Sequence, residues 1–95
     1  MFAQFNFGDP SERVRDAIGD YLEARLDPID GIELVGRLKG WGSWVDEASG
    51  ERYLEQSGSV QFVAPDHESM RSMIEAIASA AAAQFDQDAV AVLYG

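Results

Sequence analysis

His67 is the only histidine in the chain, and Asp66, Glu68 and Ser69 beside it are the types from which a general base, its orienting acid and a nucleophile are assembled. Adjacency in sequence does not assemble them. These residues fall where a helix begins, and acids and hydroxyls at that place commonly cap free backbone amides. The positive end of the helix dipole also disfavours a protonated imidazole there. Capping is therefore the expectation for this group, and no catalytic residue is assigned. One histidine and no cysteine cannot build a zinc site, and no carboxylate spacing follows a calcium loop. Gly36, Gly40 and Gly42 fall within a predicted strand instead of opening a helix, so they do not cradle phosphate. The expectation is a chain without metal or cofactor, a binding module in preference to an enzyme.

Two surfaces carry more signal. Glu12, Asp16, Asp20, Glu23 and Asp27 follow one another at helical spacing, which at about 100° per residue confines them to roughly an 80° sector. The sector lies opposite Val14, Ile18 and Tyr21, as the solvated face of an amphipathic helix does. Like charges so placed cost a few tenths of a kcal/mol per pair, and carboxylates about one turn apart imitate a phosphate backbone. This stripe is a candidate for binding a basic, nucleic-acid-handling protein. The second surface is the sheet face predicted to lie away from the helices. There Arg37, Lys39 and Trp41 on one strand meet Tyr53 and Glu55 on the next. Tryptophan and arginine are enriched at interface hot spots, so this face is a candidate contact surface, most simply for a second copy of the chain.

The elements that position these residues follow from periodicity. Phe2 to Phe7 alternates as a strand does, and Gly8 ends it. Asp9, Pro10 and Glu12 open a helix, with Asp9 as its cap, and Asp27-Pro28 stops it. From Ile32 the even positions Leu34, Leu38 and Trp44 are apolar and the odd positions Glu33, Arg37, Lys39 and Ser43 are polar, the period of a half-buried strand. Trp44 is therefore expected in the core and Trp41 on the opposite face. Residues 47–51 form a hairpin loop, and Leu54, Val60 and Phe62 return. Matching apolar faces predicts Leu38 opposite Val60, Trp44 opposite Leu54 and Gly36 opposite Phe62. Pro65-Asp66 caps a second helix carrying Met70, Ile74, Ile77, Ala81 and Phe85, and residues 88–94 are a last strand. The order β-α-β-β-α-β predicts one ferredoxin-like α+β domain over residues 1–95, a four-stranded antiparallel sheet with two helices on one face. Its expected core is Phe5, Val14, Ile18, Leu22, Leu34, Leu38, Trp44, Val60, Phe62, Ile74, Ile77 and Phe85.

Gly42-Ser43-Trp44-Val45-Asp46, Gly50, Glu55-Gln56-Ser57 and Phe85-Asp86-Gln87-Asp88-Ala89-Val90 together resemble a bacterial family of small ferredoxin-like proteins. That resemblance implies the fold and no activity. Acylphosphatases share the element order, but their phosphate loop after the first strand requires an arginine, and Asn6-Phe7-Gly8-Asp9-Pro10 supplies an aspartate. Dimeric α+β-barrel enzymes of monooxygenase and haem-degrading type pair two such sheets, and some use an Asn, a Trp and a His. Asn6, Trp41 and His67 offer those types, which makes that class the alternative reading. In size and charge the chain is similar to the small acidic inhibitors with which phages oppose host defence nucleases, the anti-CRISPR proteins.

Composition bounds the partners. At 95 residues one thin core must suffice. Seven Lys+Arg against 17 Asp+Glu give a net charge of −10, which repels nucleic acid and anionic membranes. No apolar run approaches the roughly 18 residues of a membrane span, and the start lacks the pattern of a secretory signal. A cytoplasmic location is expected, with a protein partner and no direct contact to nucleic acid or membrane. The favoured expectation is a non-catalytic inhibitor or nucleic-acid mimic.

Overall fold

Alternation along Phe2–Gly8 (β1) sends Ala3, Phe5 and Phe7 into the interior and leaves Phe2, Gln4 and Asn6 on the other face. The protein, described here from a computed structural model, continues through α1 (Glu12–Leu26), β2 (Glu33–Val45), β3 (Arg52–Val63), α2 (Glu68–Gln84) and β4 (Ala91–Tyr94). The structure describes the backbone of residues 1–95, and the side chains of all but residues 41–44 and 53–55. The strands form one sheet in the order β2-β3-β1-β4 with every pairing antiparallel. This is the ferredoxin-like α+β arrangement that the element order predicts.

One core joins the helices to the sheet. Phe5, Phe62, Ile18, Leu22, Leu26, Ile74 and Val60 are its largest fully buried side chains, and the Phe5 and Phe62 rings lie 5.1 Å apart, tilted by 37°. Ala78 and Ala81 bring α2 close to the sheet. Val14, Ile77 and Phe85 pack at the margin, half-buried.

The helix starts differ from expectation by one or two residues. Ser11, not Asp9, caps α1 by accepting from the Val14 amide at 3.3 Å, while Asp9 accepts from the Ser11 amide at 2.8 Å and shapes the turn before it. His67, not Asp66, caps α2. After α2 the chain turns through Asp86, whose φ of +52° is a left-handed conformation that Asp tolerates.

The principal correction concerns β2. Leu34 pairs with Phe62, but the next pair is Gly36 with Gln61, so an extra residue, Val35, bulges out. A shift of one residue exchanges the two faces of the strand beyond it. Arg37 therefore pairs with Val60, Leu38 with Ser59 and Trp44 with Tyr53, in place of the expected register. Leu38 is 58% exposed and Leu34 40% exposed, so neither belongs to the core. The expected placement of Trp44 in the core and Trp41 opposite it lies outside the described side chains. At the far end of the hairpin the Asp46 amide donates to Glu51 O at 2.9 Å and the Gly50 amide to Asp46 O at 2.7 Å. Gly50 supplies the positive φ this turn requires.

Candidate functional site

The bulge brings the two predicted surfaces together. Once Arg37 and Lys39 turn toward α1, they meet the acidic stripe instead of lying on the open face. Arg37 Nη1 is 2.6 Å from Asp20 Oδ1 and 3.4 Å from Glu23 Oε2, and Nη2 donates to the Asp16 carbonyl at 3.1 Å. Lys39 Nζ is 2.8 Å from Glu12 Oε1 and 3.4 Å from Asp16 Oδ1. Four of the five stripe carboxylates thus lie within ion-pair distance of two cations. The bond to Lys39 holds the Glu12 carboxyl below its usual range, and the same bond, with the charge of Asp16, raises the Lys39 ammonium. The bond to Asp20 likewise raises the Arg37 guanidinium against a smaller opposing effect of burial. Arg37 crosses α1 directly over Gly19, where a Cβ would lie 2.2 Å from Nη2. Sequence spacing revealed the stripe, but its counter-ions required the register of β2.

Asp27 continues the stripe beyond these pairs. With Asp20, Glu23, Ala24 and Leu34 it lines a shallow groove of about 310 Å³ between α1 and the edge strand. Three carboxylates and two aliphatic side chains line it.

His67 performs the structural task expected of a helix start. Its Nδ1 accepts from the Met70 amide at 3.1 Å and lies 2.8 Å from Ser69 Oγ, so Nδ1 is the unprotonated nitrogen of the ring. Asp66 pairs instead with Arg71 at 2.9 Å. Asn6, by contrast, accepts from Gln4 Nε2 at 2.8 Å on the open sheet face. Asn6 thus lies on β1 and His67 at the start of α2. Among the described residues no group of three or more His, Asp or Glu is placed to hold a metal ion.

Sequence reasoning missed two features. Arg15 is buried in the α1 side of the core margin and donates through Nη1 to the Asp9 carbonyl, while Gln87 Nε2 donates to Asp9 Oδ2 at 2.9 Å. These contacts tie the turn before α1 to the segment after α2. The only sequence signal was an arginine on the apolar side of the helix. The second feature is a ribbon. β1 pairs with β3 as far as Gly8 and Ser57, whereas β2 and β3 continue as a pair from Trp41 with Gln56 to Val45 with Arg52. Beyond that point the hairpin has no third strand, and it contributes to the molecule's 43 Å length. Trp41, Trp44, Tyr53 and Glu55 lie on this span, with Glu55 paired to Gly42 in the backbone register. Their side chains lie outside the described residues, so the open-face role predicted for Trp41, Tyr53 and Glu55 has no geometry to set beside it.

The fold places the chain in the broad class of ferredoxin-like α+β proteins. No family model matches the chain, and no curated protein matches it. Among solved structures it is similar to a phage SAM lyase in complex with S-methyl-5'-thioadenosine, at a TM-score of 0.68 and 17% identity, covering 96% of this chain and 76% of that one. A likeness at that identity shows a shared fold. No helix of the described residues is long and apolar enough to cross a membrane.

Proposed function

We propose that the chain is a nucleoside-binding protein of the same kind as the phage lyase, taking S-methyl-5'-thioadenosine or its sulfonium parent, SAM, on the β2–β3 ribbon. The observation that carries this reading is the aromatic and acidic composition of the unsupported ribbon, within a fold likeness that spans 96% of the chain. Adenine is recognised by stacking, and a sulfonium cation is attracted to aromatic faces and to carboxylate. Trp44 and Tyr53, which pair in the backbone register, supply the first kind of group and Glu55 the second. The register sets Glu55 opposite Gly42, a residue without a side chain. When the substrate's own carboxylate attacks the carbon on sulfur, a C–O bond forms as the C–S bond breaks, the electron pair of the broken bond goes to sulfur, and a neutral thioether and a lactone leave. No proton donor is then needed, and the protein's part is to orient the cation and exclude water.

Isothermal titration with each nucleoside, and chromatography of SAM incubated with the protein, test this reading. Glu55→Gln is expected to weaken SAM by tenfold or more while sparing the uncharged thioadenosine. Absence of binding by either nucleoside at millimolar concentration overturns the proposal, as does an equal effect of Glu55→Gln on both.

A second reading rests on the groove beside Asp27. Its carboxylate and aliphatic lining suits a lysine or arginine presented by a basic, nucleic-acid-handling protein, and supports an inhibitor of the anti-CRISPR type. The Arg37 and Lys39 pairs reduce the charge the stripe offers to such a partner, so Asp27→Lys is the informative reversal. Loss of salt-sensitive capture of a nucleic-acid-handling partner on that reversal supports the inhibitor, and unchanged capture refutes it.

A further inference from the structure

We propose that the sheet face away from the helices is a self-association surface, covered in solution by the same face of a second copy of this chain. The inference does not depend on either ligand reading.

Strand register defines the face. Phe2 pairs with Val63 and Gln4 with both Gln61 and Leu93, and across β3 the exposed Leu38 pairs with Ser59. Phe2 and Val63 are 39% exposed and Leu93 is 50% exposed. Four large apolar side chains therefore surround a short polar ladder, in which Gln61 Nε2 lies 3.4 Å from Gln4 Oε1 and Gln4 Nε2 donates to Asn6. On the four-stranded part of this face the only charge among the described residues is Glu33, at its end opposite Val63, and Glu55 lies beyond it on the ribbon. Most of the other charges lie on the helices, in the loops and on the cations paired to α1.

That distribution selects the occupant. Two copies of so acidic a chain repel wherever carboxylates face one another, and this face, with one carboxylate at its end, is where they meet with the fewest opposing charges. Neutral amides suit an isologous contact, because each can donate to and accept from its symmetry mate, which a carboxylate cannot do. A basic partner would find only one carboxylate there, Glu33 at the end of the face. Seven residues at about 3.3 Å and four strands at about 4.8 Å give a footprint of roughly 440 Å². Against the roughly 800 Å² of accessible surface per partner in a standard interface, this predicts a modest, micromolar dimer.

Sedimentation velocity from about 1 to 500 µM tests the proposal. The wild type is expected to pass from monomer to dimer across that range, and Leu38→Asp and Leu93→Asp to raise the dissociation constant tenfold or more. Met73→Asp, an exposed position on α2, is expected to leave it unchanged. Raising salt should strengthen the dimer by screening repulsion between like-charged copies. A monomer at every concentration overturns the proposal. So does a dimer that survives both leucine substitutions or yields to the methionine one.

Discussion

Replacing Gly19 and Arg37 by alanine, singly and together, measures whether β2 is anchored to α1 as the bulged register requires. Alanine in a helix interior is favoured over glycine by about 0.8–1.0 kcal/mol, so Gly19→Ala would ordinarily stabilise. Here the new Cβ would lie 2.2 Å from Arg37 Nη2 and 2.5 Å from Cζ. Those atoms are the far end of a flexible side chain, so the guanidinium swings away and the backbone stays. The swing forfeits the contacts to Asp20, Glu23 and the Asp16 carbonyl. Partly exposed pairs of this kind contribute about 0.2–1 kcal/mol each, so the loss is on the order of 1 kcal/mol. Gly19→Ala should therefore be close to neutral in the wild type and stabilising by about 1 kcal/mol when Arg37 is already alanine. Urea denaturation of the four proteins gives the coupling, expected near 1 kcal/mol and smaller in 1 M salt. Additivity within about 0.3 kcal/mol would show that Arg37 does not cross Gly19, and would remove the bulged register with it.

Phe62→Ala should destabilise by about 3–5 kcal/mol, because the ring is fully buried against Phe5, whereas Leu38→Ala should cost well under 1 kcal/mol in the monomer at its level of exposure. Denaturant midpoints decide, and similar losses would restore the face assignment that simple alternation predicts. His67→Ala should cost about 0.5–2 kcal/mol and His67→Asn a few tenths, since asparagine also caps. A large loss with asparagine would give the imidazole a role other than capping. Because Lys39 holds the Glu12 carboxyl low, their pair contributes at neutral pH and loses that contribution as the pH falls through the depressed Glu12 value. The difference in midpoint between wild type and Lys39→Met should thus be present at pH 7 and vanish in strong acid. A difference that persists there would assign the effect to the lysine stem.

Element order was legible because each element keeps its own period. Phe2 to Phe7 alternates, Ile18 and Leu22 lie four apart, and Met70, Ile74 and Ala78 repeat the helical step in α2. Six of the expected core residues, Phe5, Ile18, Leu22, Val60, Phe62 and Ile74, are fully buried. The failure lay in β2, where a strict period of two counts residues and cannot see one that leaves the ladder. Apolar Leu34 and Leu38 look inward on that count, yet inserting Val35 turns Leu38 outward and sends Arg37 and Lys39 over the helix. Their long stems can cover apolar surface while the charged ends reach acids, so hydropathy does not separate the two arrangements. The missing signal was complementarity: two cations on the strand beside the helix whose flank is acidic.

That complementarity also bears on function, because it divides the surface into parts with opposite responses to salt. The ion pairs of α1 with β2 and any contact of Asp27 with a basic partner weaken as ionic strength rises. Association of two −10 chains through a sheet face whose one carboxylate, Glu33, lies at its end strengthens, since screening removes repulsion and leaves apolar contact untouched. A neutral thioadenosine on the ribbon should respond to salt hardly at all. Affinity measured from low to high salt therefore distinguishes the acidic groove, the sheet face and the ribbon by sign alone, before any substitution is made.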